Sequence, residues 1–275
     1  MKTTADQIKL IVFDVDGTLI DDNKNISPRT VSVLHELQQK DVSISLATGK
    51  TFPSVEDLVK LLNLKVPIIL SNGALVQQPN SEMVFSELLP GDVVTELFDV
   101  SESCSADLVL YTPDHIFAIK ETFNTDQMKA LFKERIEAIG AWPAVQAHLS
   151  QVCKAIFVNR LDIPMINRLK AKLQKTFDGR VTFSAAIQNS IEIMPFGISK
   201  KTGLVRLAGE LHVAMDEIMV FGDQMNDLDI FEQAGIGVAV GNAVDEVKAI
   251  ADYVVGSNNE DGPAIFLSGY FKLKG

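Results

Sequence analysis

The chain is short of basic residues. Its 275 residues include 25 lysines and arginines against 36 aspartates and glutamates, a net charge of -11 at pH 7. This balance argues against a broad surface for the phosphate backbone of a nucleic acid. No uncharged apolar run is long enough to cross a bilayer, and residues 1–7 are polar, without the apolar core of a signal peptide. We therefore expect a cytoplasmic protein, monomeric or homodimeric, that binds neither nucleic acid nor membrane.

Cysteine and histidine are also scarce. The only two cysteines, Cys104 and Cys153, are far apart and lack the C-x-x-C spacing of a zinc site. The four histidines share no spacing and do not lie near the polar motifs described below. We expect free, buried thiols, no disulfide framework, and histidines that serve packing or the surface.

Two carboxylates follow the first apolar run of the chain. Residues 8–13 are rich in β-branched side chains and predict a buried strand, after which come Asp14 and Asp16. Gly17 allows the backbone to turn out of the sheet at this point. In open α/β sheets, ligands bind beyond the carboxyl ends of the strands, so a site is expected here. An ordinary Asp-Gly turn with one capping aspartate explains the same residues.

Apolar runs and helical stripes alternate in the first and last thirds of the chain, which predicts a parallel sheet with right-handed crossovers. The predicted strands are 8–13, 42–47, 67–70, 191–194, 218–221, 236–240 and 253–255. The alternation of strands and helices changes from Ser71 onward and returns at Ile191. We divide the chain into a core, residues 1–82 and 189–275, and an inserted α+β domain, residues 83–188.

The insert mixes short strands with amphipathic helices. Residues 112–115 (T-P-D-H) predict a hairpin turn between two strands. Apolar residues from Met128 to Ile139 form a stripe that predicts one helix ending at Gly140. Three aromatic side chains of the insert either line a substrate face or fill its core, namely Tyr111, Phe117 and Trp142.

Three further polar clusters fall where strands end or a helix begins. They are Thr48-Gly49-Lys50, Ser199-Lys200-Lys201 and Gly222-Asp223-Gln224-Met225-Asn226-Asp227. Taken one at a time, each is explained by a turn or a helix cap. A parallel sheet gathers its strand ends along one edge, however, so residues distant in sequence can meet there.

Together these clusters predict a metal and phosphate site. Asp14, Asp16 and Asp223 offer the hard oxygen ligands that suit Mg²⁺. Phosphate oxygens can accept hydrogen bonds from the Thr48 hydroxyl, the Gly49 N–H and the Lys200 ammonium. Such a site supports phosphoryl transfer through an aspartyl-phosphate intermediate.

The ordered motifs closely resemble those of the haloacid dehalogenase (HAD) superfamily of phosphatases, in particular its Cof-type sugar-phosphatase subfamily. The resemblance covers nearly the whole chain, at residues 13–19, 47–50, 70–76, 192–204, 222–227, 241–243 and 251–262. It implies a three-layer, Rossmann-like core with a central parallel sheet. The insert would then be a mobile cap that closes over the site and contacts the organic part of the substrate.

The resemblance also implies a role for each site residue. Asp14 would be the nucleophile, and Asp16 would protonate the leaving alkoxide and then activate the hydrolytic water. Mg²⁺ would be held by the Asp14 carboxylate, the Asp16 backbone carbonyl and the Asp223 carboxylate, with Asp227 steadying the metal's waters. Phosphate would be bound by the Val15 backbone, Thr48, Gly49, Lys200 and Asn226.

Two positions depart from the usual pattern of the family. Lys50 stands where many members have arginine, and a lysine cannot form a bidentate fork. Lys201 stands where a glycine often follows the catalytic lysine. Lys200 is the better candidate for the phosphate contact, because it follows Ser199 at the predicted helix start.

The sequence thus predicts a Mg²⁺-dependent phosphatase acting on small phosphorylated metabolites, above all sugar phosphates. One alternative is a phosphosugar mutase of the same superfamily. Another is a catalytically silent protein that binds a phosphorylated metabolite.

Overall fold

A computed structural model of the protein describes residues 4–140, 142–184 and 189–273. In chain order the strands are β1 (Leu10–Phe13), β2 (Ser43–Leu46), β3 (Ile68–Leu70), β4 (Leu75–Gln77), β5 (Met83–Ser86), β6 (Asp107–Tyr111), β7 (Ile116–Ala118), β8 (Ile136–Ala138), β9 (Lys154–Val158), β10 (Val181–Ser184), β11 (Ser190–Pro195), β12 (Ile218–Gly222), β13 (Ile236–Ala239) and β14 (Tyr253–Val254). The helices are α1 (Pro28–Gln38), α2 (Phe52–Leu61), α3 (Gly91–Glu102), α4 (Phe123–Phe132), α5 (Trp142–Gln146), α6 (Ile163–Thr176), α7 (Lys200–Leu211), α8 (Leu228–Phe231), α9 (Asp245–Ile250) and α10 (Gly262–Tyr270).

A parallel sheet of order β14-β13-β12-β1-β2 is built from both ends of the chain, as predicted. Strand β3 was predicted for the same sheet, but it pairs antiparallel with β4 in a separate sheet of order β3-β4-β5. The centre of the parallel sheet is β1, which pairs with β12 on one side and β2 on the other. Phe13, the last residue of β1, lies opposite Phe221 and Leu46, so the three strands end at nearly the same level. The polar residues that follow them therefore lie along one edge of the sheet.

Both faces of this sheet are buried, which gives the three layers of the fold. Because side chains alternate along a strand, Ile11 and Phe13 pack into one apolar cluster, and Leu10 and Val12 pack into another. The first cluster includes apolar residues of α1, α2 and α10, and the second includes those of α7, α8 and α9. The layered α/β architecture thus follows from strands that are apolar on both faces.

The second sheet has the order β10-β11-β9-β6-β7-β8 and is mostly antiparallel. Apolar residues of α3 and α6 bury one face of it. The predicted hairpin is confirmed between β6 and β7, where the Thr112 N–H donates to the carbonyl of His115 over 2.9 Å. The opposite face of the sheet is turned toward the core, since Tyr111 and Cys153 belong to the apolar cluster around β1.

One strand expected in the core belongs to the second sheet. Residues 191–194 were predicted to resume the parallel sheet, but β11 pairs antiparallel with β9 and β10. An apolar strand fits either sheet by its pattern, and only the pairing partners decide between them. The predicted end of the insert at residue 188 lies in the segment 185–188, outside the described residues, so the division into core and insert stays a prediction.

The apolar stripe from Met128 to Ile139 is not one helix. Helix α4 ends at Phe132, Lys133 adopts a left-handed conformation, and Ile136 begins β8. Ile136 pairs with Ile116 of β7 in parallel. The pairing available at the edge of the second sheet thus prevails over the helical spacing.

The two cysteines are free, as predicted, but only Cys153 is buried; Cys104 was expected to be buried and is partly exposed. Among the described residues, no helix combines the length and apolar character needed to span a membrane.

A tight turn links β3 to β4 beside the edge of the parallel sheet. Ser71, Asn72 and Gly73 have φ values of 46°, 52° and 96°. A Cβ at Gly73 would overlap the backbone carbonyl of Ser199, just before α7. Glycine therefore meets two requirements here, a positive φ and close contact with the start of a helix.

We expect Gly73→Ala to lower the free energy of unfolding by about 3 kcal/mol, because the strain of a positive φ and a backbone overlap act together. Gly197→Ala is the matched control, since Gly197 has a φ of 74° and open space around its Cα. The control should cost only about 1 kcal/mol, from φ alone. Urea denaturation of both variants measures the difference, and equal losses would contradict the packing argument.

Candidate active site

The predicted site residues meet at the carboxyl edge of the parallel sheet. Asp14 follows β1, and Asp223 follows the adjacent β12. Thr48 follows β2, where its N–H donates to the carbonyl of Ile69 in β3 over 2.9 Å. Lys200 is the first residue of α7. Four segments far apart in the sequence therefore contribute to one cluster.

The Lys200 ammonium lies at the centre of this cluster. Its Nζ donates to Asp14 Oδ1 over 2.5 Å and to Asp227 Oδ1 over 2.6 Å, and the side chain is fully buried. Burial disfavours the ammonium, but the carboxylates of Asp14 and Asp227 outweigh burial and raise the pKa of Lys200 above its usual value. The lysine therefore remains a fixed positive charge beside Asp14.

Three buried carboxylates form a group able to hold a metal ion. Oxygen atoms of Asp14, Asp223 and Asp227 all lie within 4.8 Å of one another. Burial, which disfavours an uncompensated charge, raises the pKa of Asp14 well above its usual value and raises that of Asp223, and the neighbouring carboxylates add to both shifts. A hard divalent cation relieves this repulsion, so the donor set fits Mg²⁺.

Neighbouring groups orient two of these carboxylates. Asp223 accepts the Thr18 hydroxyl over 2.9 Å on one oxygen and the Gln224 side-chain amide over 2.9 Å on the other. Asp227 Oδ2 accepts the backbone N–H groups of Asp223 and Gln224 over 3.0 and 3.1 Å. With Lys200 on its other oxygen, Asp227 supports the site and is less open to a metal than Asp14.

Gly17 permits the approach of Asp223 to the opening strand. Its φ is 82°, and a Cβ there would lie 2.7 Å from Asp223 Oδ2. The predicted turn out of the sheet is thus confirmed, and it brings the two aspartate-bearing loops together.

A cavity of about 110 Å³ lies beside Asp14. It is lined by Asp14, Asp16, Thr48, Gly49, Lys50, Asn72, Tyr111, Glu134, Lys154, Glu192, Gln224 and Asn226. Five predicted site residues therefore line the cavity. Lys200 is not part of this lining, but it contacts Asp14, which is. Val15 instead lines a neighbouring cavity of about 480 Å³, together with Lys24 and Lys133.

Asp16 lies outside the acidic group. Its carboxylate contacts the Lys24 ammonium at 2.7 Å and the Lys50 ammonium at 3.3 Å. The side chain is therefore held at the edge of the cavity and is absent from the three-carboxylate cluster. Lys50, at the position where many members of the family have arginine, thus forms an ion pair with Asp16.

Sequence reasoning missed the contribution of the second sheet to the cavity. Lys154 of β9 and Glu192 of β11 form an ion pair of 2.9 Å, and their side chains are only 3% and 2% exposed. Each is a single charge inside an apolar strand, which was the signal available in the sequence. A buried charge is costly unless it is paired, so a lone charged residue in an apolar strand predicts a partner of opposite charge.

The aromatic residues of the insert were predicted either to line a substrate face or to fill its core, and the described ones differ in this respect. Tyr111 lines the cavity, and its hydroxyl donates to Glu134 Oε2 over 2.9 Å. Burial and the neighbouring carboxylate raise the pKa of Tyr111 well above its usual value. Phe117 instead packs between His115 and His148. The side chain of Trp142 lies outside the described residues.

Comparisons with known proteins agree over nearly the full length. A family model described as haloacid dehalogenase-like hydrolase matches residues 11–267. The 5-amino-6-(5-phospho-D-ribitylamino)uracil phosphatase YitU of Bacillus subtilis (strain 168) is 32% identical, over 96% of this chain and 98% of that protein. The HMP-PP phosphatase of Serratia proteamaculans (strain 568) is 26% identical, over 96% of each chain. The crystal structure of a haloacid dehalogenase-like hydrolase from Bacteroides thetaiotaomicron has a TM-score of 0.88 at 27% identity, covering 96% of this chain and 100% of that one.

Proposed function

The chain belongs to the haloacid dehalogenase-like hydrolases and is a Cof-type phosphoric monoester hydrolase, and from this premise we propose a cytoplasmic, Mg²⁺-dependent phosphatase of small phosphorylated metabolites, above all sugar phosphates. The observation that carries the proposal is the buried contact of Lys200 with Asp14, beside two further carboxylates. It supplies a nucleophile, a fixed cation and a metal-binding group within one cluster.

Asp14 is the proposed nucleophile. Its carboxylate oxygen attacks phosphorus, the bond from phosphorus to the leaving oxygen breaks, and an aspartyl-phosphate forms. The Lys200 ammonium on Asp14 Oδ1 orients the carboxylate and offsets the negative charge brought in by the phosphoryl group.

Asp16 is the proposed acid and base. It gives a proton to the leaving oxygen in the first step, and in the second it takes one from the water that attacks phosphorus. The second step breaks the bond between phosphorus and Asp14, releasing inorganic phosphate and restoring both carboxyl groups. Proton transfer by a positioned carboxyl group typically contributes about 10² to 10⁴-fold in rate. The place of Asp16 at the cavity edge, outside the acidic group, supports this division of roles.

Mg²⁺ would be held by the carboxylates of Asp14 and Asp223 and the backbone carbonyl of Asp16, with Asp227 steadying its waters. When bound, the ion supplies positive charge for the phosphate oxygens. Phosphate is proposed to be bound by the Val15 backbone, Thr48, Gly49, Asn226 and Lys200. The presence of Thr48, Gly49 and Asn226 on the cavity supports this assignment.

The proposed substrate class rests on the cavity wall and on the relatives. Hydrogen-bonding groups from the second sheet line the cavity, which suits a leaving group with several hydroxyls. By its name, the YitU relative acts on a phosphate ester of a ribityl chain. We therefore place polyol and sugar phosphates first, and residues 83–188 as the cap that contacts their organic part.

The test is phosphate release from a panel of sugar phosphates, 5-amino-6-(5-phospho-D-ribitylamino)uracil, HMP-PP, nucleotides and phosphoglycolate. We expect release concentrated on a few phosphosugars. Removal of metal with EDTA should lower the rate at least about 100-fold, and added Mg²⁺ should restore it. Release that survives EDTA would contradict the proposed mechanism. Transfer of phosphate between positions of one sugar, with little net release, would indicate a mutase.

A further inference from the structure

The cavity side of the second sheet is connected to the phosphate-binding loops by a continuous series of polar contacts. Lys154 Nζ donates to the Gly49 carbonyl over 2.6 Å and contacts Glu192 Oε1 at 2.9 Å. Glu192 Oε2 accepts the Asn72 amide over 2.9 Å, and Asn72 Oδ1 accepts the Asn226 amide over 3.2 Å. We call these five residues the Lys154–Glu192 chain. Its two ends are the Gly49 loop and the Asn226 loop.

We propose that Lys154 and Glu192 are positioning residues for phosphate: from the second sheet, they fix the donors of the Gly49 and Asn226 loops in the orientation that binds the phosphoryl group. The inference rests on the proposed function, and goes beyond it by giving the second sheet a part in phosphate binding as distinct from recognition of the organic leaving group.

The Lys154 end of the chain acts through a peptide plane. The Gly49 carbonyl and the Lys50 N–H belong to one planar peptide group, so fixing the carbonyl also fixes the N–H. That N–H donates to Thr48 Oγ1 over 3.2 Å. With Oγ1 accepting this bond, the Thr48 hydroxyl hydrogen is available to an acceptor in the cavity. Lys154 thereby orients a proposed phosphate donor that it does not touch.

The Glu192 end acts through two side-chain amides. By accepting the Asn72 N–H, Glu192 directs the Asn72 oxygen toward Asn226. An amide nitrogen carries two hydrogens, so Asn226 keeps a second N–H for phosphate. Asn72 also supports the first loop, since its backbone N–H donates to the Thr48 carbonyl over 2.9 Å. The left-handed turn at residues 71–73 holds Asn72 between the two loops.

Burial and charge make the ion pair an effective support. Lys154 and Glu192 are nearly inaccessible to solvent, and the Lys154 ammonium also lies 4.1 Å from the centre of the Tyr111 ring. A buried pair with several hydrogen-bond partners has little freedom to rearrange. Loss of either partner leaves an unpaired buried charge, so both ends of the chain should lose their orientation together.

The experiment compares Lys154→Met, Glu192→Gln and the double variant with the wild type and with Lys129→Met. Lys129 is the control because it forms a partly exposed ion pair of 2.8 Å with Glu121, within the insert and away from the cavity. The probe is inorganic phosphate with Mg²⁺, measured by calorimetry and as an inhibitor. Hydrolysis of p-nitrophenyl phosphate and of the best phosphosugar is measured beside it.

We expect each single variant to bind inorganic phosphate about ten-fold more weakly, as is typical when the partners of a ligand-binding group are lost. Hydrolysis of both esters should fall by the same factor, because the effect concerns the group they share. The double variant should lose no more than the worse single variant, and the control should match the wild type.

Two results would overturn the inference. Unchanged phosphate binding with a lower thermal midpoint would make the pair purely structural. Unchanged phosphate binding with a loss confined to one ester would make it a contact for the leaving group. A wild type that hydrolyses no ester would instead refute the proposed function, and the phosphate titration, which needs no turnover, would still test the positioning role. A wild type that does not bind phosphate would refute both.

Discussion

The variant Asp14→Asn is expected to lose phosphate-ester hydrolysis by about 10⁴-fold or more, since removal of a nucleophile leaves only binding and electrostatic effects. The amide has nearly the shape of the carboxylate but is a poor nucleophile. Its neighbours Lys200 and Asp223 are retained. The measurement is steady-state phosphate release with Mg²⁺ on the best substrate of the panel.

The same variant should fold at least as well as the wild type. Burial raises the pKa of Asp14, so the folded protein binds a proton there more tightly than the unfolded chain does. The free energy of unfolding of the metal-free protein therefore falls as the pH rises from the usual aspartate range through the raised pKa. A neutral amide removes this loss, so in EDTA at pH 7 the variant should unfold at the same or a higher temperature.

This pair of results separates chemistry from folding. An inactive variant with a clearly lower thermal midpoint would attribute the loss to misfolding. An active Asp14→Asn enzyme would exclude the aspartyl-phosphate route altogether.

The variant Lys200→Met is expected to lose about 10³-fold in kcat/KM, because a preorganised charge beside the nucleophile is removed. It should also be less stable in EDTA by about 3 to 5 kcal/mol, since Asp14 and Asp227 are left buried without their cation. Mg²⁺ should return part of that stability by binding the Asp14 carboxylate and placing positive charge near Asp227.

Lys201→Met is the matched control, because Lys201 is the next residue of α7 but only partly buried. We expect its activity to change by no more than about two-fold, as for other partly exposed positions away from reacting groups. Kinetics and urea denaturation, each with EDTA and with Mg²⁺, test both variants. Comparable losses in the two would mean that the assignment of the buried lysine to the reaction is wrong.

The sequence was informative wherever a buried strand ends in polar residues. The turns after β1, β2 and β12 were recognised because apolar runs stop abruptly at Asp14, Thr48 and Asp223. Helix α7 was recognised from the capping residue Ser199 and the apolar stripe that follows it. These signals are local, because a few consecutive residues establish both the element and its end.

Prediction from the sequence was less successful in the second sheet. The stripe that continues past Phe132 fits a helix, yet Ile136 begins a strand, because β7 offers it a pairing partner. The run at residues 191–194 fits the core sheet equally well, yet β9 and β10 are its neighbours. Strand pairing depends on segments many residues away, and no local pattern contains it.

By itself, the sequence determined the alternation that builds the parallel sheet and the carboxylates, lysine and hydroxyl that gather at one edge of it. These follow from periodicity and from the common direction of parallel strands. The tertiary structure alone decided that Lys200 lies between Asp14 and Asp227, and that Lys154 and Glu192 of the second sheet reach the Gly49 and Asn226 loops. The physical reason is that a buried ion pair depends on where two distant side chains meet in space, and only the packing of one sheet against the other sets that position.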